Sequence, residues 1–145
     1  MAKIFSFNEK LDGSYIDPIS GAAGTNTNGV FERTEKGMAW KAHGTNGIIT
    51  YPYNSNYVFG TSEFWVEFYG KNDGKATFQS IVDTRNLSSG GSGFAVGYYD
   101  TGAISVYIQG TAGNSGFKKS TIRCFDNKWH HVLSVSYTHL TLPTN

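Results

Sequence analysis

Phe94-Ala95-Val96-Gly97-Tyr98-Tyr99-Asp100-Thr101-Gly102-Ala103-Ile104-Ser105-Val106-Tyr107-Ile108-Gln109 is the stretch on which the fold is decided. Apolar residues alternate with small or polar ones on both sides of Asp100-Thr101-Gly102, a three-residue hairpin loop whose glycine can take the left-handed position. The loop sets the register. With Tyr99 opposite Ala103, Tyr98 faces Ile104, Val96 faces Val106 and Phe94 faces Ile108, and these six form one apolar face. The other face carries Ala95, Gly97 and Tyr99 across from Tyr107, Ser105 and Ala103, with Gln109 beyond. One side of this hairpin belongs in a core and the other offers small, polar and aromatic groups.

Working outward, the same short alternating segments recur between frequent turn signals. Strands are expected at 30–34, 38–42, 47–52, 64–69 and 78–83, then at 120–125 and 129–134, the last two joined by a tight turn at Asp126-Asn127-Lys128. Ile4-Phe5-Ser6-Phe7 reads as a first strand. Residues 20–29 read as an irregular surface loop because of their glycine and asparagine content, and 86–93 as a second loop. No amphipathic helix stands out, so the expectation is an all-β, antiparallel two-sheet sandwich in a single domain.

Composition narrows the function classes. The 145 residues include 10 Phe, 9 Tyr and 3 Trp, against 12 Lys or Arg and 11 Asp or Glu, for a formal charge of +1. Such a chain encodes a packed structure rather than disorder. It has no basic field to draw nucleic acid, and no run near the ~18 apolar residues that would argue for membrane insertion. The start of the chain turns polar too soon for a signal peptide. A single cysteine, Cys124, leaves no internal disulfide, and it is expected to be buried and inert.

The stretches Gly37-Met38-Ala39-Trp40-Lys41-Ala42-His43-Gly44-Thr45-Asn46-Gly47-Ile48-Ile49-Thr50-Tyr51-Pro52, Glu63-Phe64-Trp65-Val66-Glu67-Phe68 and Asp126-Asn127-Lys128-Trp129-His130-His131-Val132 together resemble a laminin G-like domain of the concanavalin A-like lectin and glucanase superfamily. The resemblance implies a jelly roll and a carbohydrate-binding or adhesion role, with calcium at a loop rim in some relatives. The alternative is a structural virion component, such as a tail-fibre or head-decoration domain, with or without glycan binding. A virion or the extracellular surface is the expected location, and the partners implied are a glycan or cell-surface polysaccharide, virion proteins or further copies of the chain. Glucanase chemistry is the less favoured reading. Retaining glycosidases need two carboxyls about 5–5.5 Å apart, and Trp65 stands where the family's pattern has its middle carboxylate.

The last eleven residues read differently. Residues 135–144 back-translate as GTC TCT TAT ACA CAT CTG ACG CTG CCG ACG, which resembles a transposase adapter used for sequencing libraries. The expectation is therefore a domain over 1–134, truncated before the family's closing strands, followed by an adapter-derived tail over 135–145. His139 and Pro143 then carry no functional weight, and the loss of closing strands predicts open sheet edges and poor solubility.

The candidate ligand-binding residues are Tyr99 and Tyr107, whose rings suit the apolar face of a sugar, with Ser105 and Gln109 to bond its hydroxyls. Gly97 and Ala95 beside Tyr107 leave room. Asp83 and Asp100, and beyond them Asp17, are the calcium candidates, with turn capping the ordinary role for each. His130 and His131 should point to opposite faces of one strand, and Trp40 and Trp129 are assigned to packing.

Overall fold

The structure, a computed structural model, describes residues 15–17, 20–44, 46–55, 63–72, 78–85, 92–99, 101–110 and 115–136. Ile4-Phe5-Ser6-Phe7, Asp100, His139 and Pro143 lie outside the described residues. The protein is all-β with antiparallel sheets, and there is no α-helix among the described residues. Contacts divide the chain into two units at Gly60/Thr61.

In the first unit, β1 (Thr25–Thr27) pairs with β4 (Ile48–Thr50), and β2 (Gly29–Thr34) pairs with β3 (Gly37–Ala42). The β2–β3 turn is closed by Thr34, whose hydroxyl donates to the Gly37 carbonyl at 2.8 Å and accepts the Lys36 N–H at 3.1 Å. Gly37 itself sits at φ 97°, a conformation open to glycine. The expectation of an irregular loop over 20–29 is corrected by β1. Thr25-Asn26-Thr27 has no apolar alternation to announce a strand, and local side-chain bonds help to hold it. Asn26 donates to the Gly29 carbonyl at 2.7 Å and accepts the Trp40 indole N–H at 3.1 Å. The indole lies so close on Gly29 that a Cβ there would fall 2.3 Å from the ring. Trp40 thus packs as expected. Asp17 is fully buried and caps a turn, accepting the backbone N–H of Ser20 at 3.0 Å and its hydroxyl.

The second unit contains a four-stranded sheet, in the order β6 (Gln79–Asp83), β7 (Gly93–Tyr98), β8 (Ala103–Gln109), β9 (Ser115–Arg123). Its other component is a ladder of β5 (Phe64–Lys71) with β10 (Trp129–Ser136). The central hairpin has the expected register: Phe94 opposes Ile108, Val96 opposes Val106 and Tyr98 opposes Ile104. Gly102 takes φ 82° in the loop, and the Tyr99 N–H donates to the Ala103 carbonyl at 2.8 Å.

The two layers meet on the apolar face of β7. Phe64 packs on Phe94 at 4.6 Å between ring centroids, and the Tyr98 hydroxyl reaches the backbone of Gly70. Phe94, Val96 and Tyr98 are buried, and full burial of a Phe or Val side chain contributes roughly 1.5–3 kcal/mol. The β8 half of that face is less covered, with Ile104 and Val106 half-buried and Ile108 exposed.

Asp126-Asn127-Lys128 forms the expected tight turn, with Asn127 at φ 57° and the Asp126 carboxylate accepting the Lys128 N–H at 3.1 Å. It joins strands of different sheets, since β9 pairs with β8 and β10 with β5. Pairing of β10 runs two residues past Ser134, as far as Ser136 opposite Phe64.

Candidate functional site

The second face of the β7–β8 hairpin is built on small residues. Ala95, Gly97, Ala103 and Ser105 are buried along its floor. At Gly97 a Cβ would lie 2.1 Å from the Gln79 carbonyl oxygen, so glycine is what lets the β6 backbone approach beside its bulge. Larger side chains stand around this floor. Phe78, Arg85, Tyr99, Tyr107 and Phe117 line a hollow of about 350 Å³.

Register and ring contacts hold the walls. Tyr107 lies between Ala95 on β7 and Phe117 on β9, and Phe117 meets Tyr99 at 5.2 Å between centroids. Each tyrosine also carries a cation. The Arg85 guanidinium lies 5.0 Å from the centre of the Tyr107 ring, and the Lys119 ammonium 5.4 Å from that of Tyr99, both within the range of cation–π attraction.

Arg85 is oriented by Asp83. The guanidinium donates from Nε to Oδ1 at 2.9 Å and from Nη2 to Oδ2 at 2.6 Å, while the Arg85 backbone N–H donates to Oδ1 at 3.0 Å. Partial burial alone would raise the Asp83 pKa, but these bonds and the adjacent positive charge outweigh it and hold the carboxyl below its ordinary value. The bond to Asp83 correspondingly raises the pKa of Arg85. A planar, fixed donor group therefore stands over one wall of the hollow.

The expected site residues are placed unequally. Tyr99 and Tyr107 line the hollow together. Ser105 belongs to the same face but is only 1% exposed, and its hydroxyl donates to the Gly97 carbonyl at 3.3 Å, so it is not presented to a ligand. Gln109 follows Tyr107 on that face, opposite Gly93, outside the lining residues. Asp83 is engaged with Arg85, and no group of three or more His, Cys, Asp or Glu converges among the described residues.

Sequence reasoning missed Arg85, Phe117, Phe78 and Lys119 as site residues. Asp83 and Arg85 are two apart, the spacing that puts neighbours on one side of an extended chain, and this signal was available. Phe117 and Lys119 required the β8–β9 register.

A second polar arrangement lies on the outer face of the β5–β10 ladder. His131 bonds Glu67 at 2.7 Å and stacks on Tyr69 at 4.7 Å. His130 turns the other way and bonds Asp126 at 2.7 Å, as strand alternation requires. Cys124 is buried, and burial, with a smaller contribution from Asp126, pushes its thiol pKa up, which disfavours the thiolate.

Comparison of the chain with known protein families, with curated proteins and with solved structures gives no match.

Proposed function

We propose that the chain is a non-catalytic carbohydrate-binding or adhesion module on a jelly-roll sandwich of the laminin G-like kind, with the hollow between Tyr99 and Tyr107 as its binding site. The observation that carries this reading is the lining itself. Tyr99 just past the end of β7, Tyr107 on β8 and Phe117 on β9 surround a floor of small residues, and Arg85 is fixed at the rim. Rings of this kind receive the C–H face of a sugar, and the guanidinium donates to its oxygens. Among the described residues the lining of the hollow holds no carboxylate, and Asp83, close to Arg85 in sequence, is committed to that guanidinium, an arrangement suited to binding.

The test is a glycan array probed with the intact chain and with Tyr99→Ala and Tyr107→Ala. Binding that falls at least tenfold in both variants while the far-ultraviolet spectrum is unchanged supports the reading. Absence of binding to every glycan by folded protein overturns it, and leaves the structural virion role as the alternative.

A further inference from the structure

We infer that the hollow selects acidic saccharides, with the Arg85 guanidinium and the Lys119 ammonium receiving a carboxylate on the sugar; this rests on the glycan-binding reading above. The first ground is local charge. Among the described residues, the four-stranded sheet with its adjoining Thr84 and Arg85 carries Arg85, Lys118, Lys119 and Arg123 against the single carboxylate of Asp83. The acidic residues of the ladder are engaged elsewhere or at its start: Glu67 bonds His131, and Glu63 precedes β5. Asp126 bonds His130. A chain of net charge +1 thus concentrates positive charge on one sheet.

The second ground is donor geometry. Of the five guanidinium N–H groups of Arg85, the bonds to Asp83 use one on Nε and one on Nη2. Among the described residues nothing else bonds the end-on fork formed by Nη1 and the second Nη2 hydrogen, and that edge matches a carboxylate bidentately. Lys119 has no ion-pair partner among the described residues. Alternation along β9 puts it opposite Ser105, on the face of the hollow, whereas Lys118 opposes Val106 on the other face. Two cations therefore overlie Tyr107 and Tyr99, the rings proposed to stack on the sugar. A neutral sugar would use the rings and neither cation's charge.

The experiment measures affinity for three forms of one oligosaccharide backbone: a uronic acid form, the same form with its carboxyls reduced to alcohols, and a sulfated neutral form. A single-stranded oligonucleotide is the fourth ligand. The expected result is at least tenfold tighter binding of the uronic acid form than of the reduced form. Lys119→Gln should lose about tenfold on the acid form alone, the scale of one charge-assisted bond, and Lys119→Arg should restore it. Equal binding of the acid and reduced forms overturns the inference but leaves the glycan reading intact. Preference for the sulfated form overturns the assignment to carboxylate. Preference for the oligonucleotide, or no saccharide binding at all, overturns both readings.

Discussion

Tyr98 carries its hydroxyl into the interior of the sandwich, where the side chain is 2% exposed and the oxygen finds no hydrogen-bond partner among the described residues. Burial pushes its pKa up to about 12, with smaller contributions from the nearby Cys124 and Asp126. Below about pH 10 both folded and unfolded chains keep the phenolic proton, and the group contributes nothing to pH dependence. Between about 10 and 12 the unfolded chain releases the proton while the folded chain retains it, so stability falls as pH rises, by up to ~2–3 kcal/mol in all. Tyr98→Phe removes both the unbonded hydroxyl and its titration. Urea melts of the variant should show stability equal to or above the parent near neutrality, and a shallower decline across the alkaline window. A loss of more than ~1 kcal/mol at neutral pH would mean that the hydroxyl is satisfied.

The packing of β5 on β7 turns on the same oxygen. A Cβ at Gly70 would lie 2.3 Å from the Tyr98 hydroxyl, with the Phe68 ring next nearest at 3.1 Å. Gly70→Ala should therefore destabilise by roughly 1–3 kcal/mol, the usual cost of overpacking. Most of that cost should vanish in a Tyr98→Phe background, and a double-mutant cycle in denaturant reads the coupling directly. Additive effects would place the obstruction elsewhere. These strands also show what was legible beforehand. The central hairpin was readable to the residue because loop length fixes register and alternation fixes the faces. β1 was not, since Thr25-Asn26-Thr27 is held partly by the Asn26 amide and lacks an apolar pattern. Of the site, Tyr99 and Tyr107 followed from that hairpin alone. Ser105 was misjudged because alternation gives a face and not the direction of a hydroxyl, which here turns back to Gly97. Glu67 and His131, 64 residues apart, meet only through the β5–β10 register, which no local pattern announces.

Among the described residues β5 and β10 pair only with each other, and β6 and β9 end the four-stranded sheet. Apolar side chains accompany those edges, with Ile122 on β9 68% exposed and Leu133 on β10 57% exposed. Natural edge strands are commonly shielded by charge, proline or a bulge, and the lysines of β9 supply some of that shielding. A net charge of +1 over the whole chain adds little general repulsion. The expected outcome is concentration-dependent self-association, seen as a rising weight-average sedimentation coefficient. Ile122→Lys and Leu133→Lys should each reduce it without changing the far-ultraviolet spectrum, because both side chains are mostly exposed. Salt separates the contributions: if apolar surface drives association, raising ionic strength strengthens it in the parent chain, whereas screening weakens an association held by ion pairs. A chain that sediments as a monomer at every concentration would show that its edges are shielded, and would remove the physical basis for expecting poor solubility.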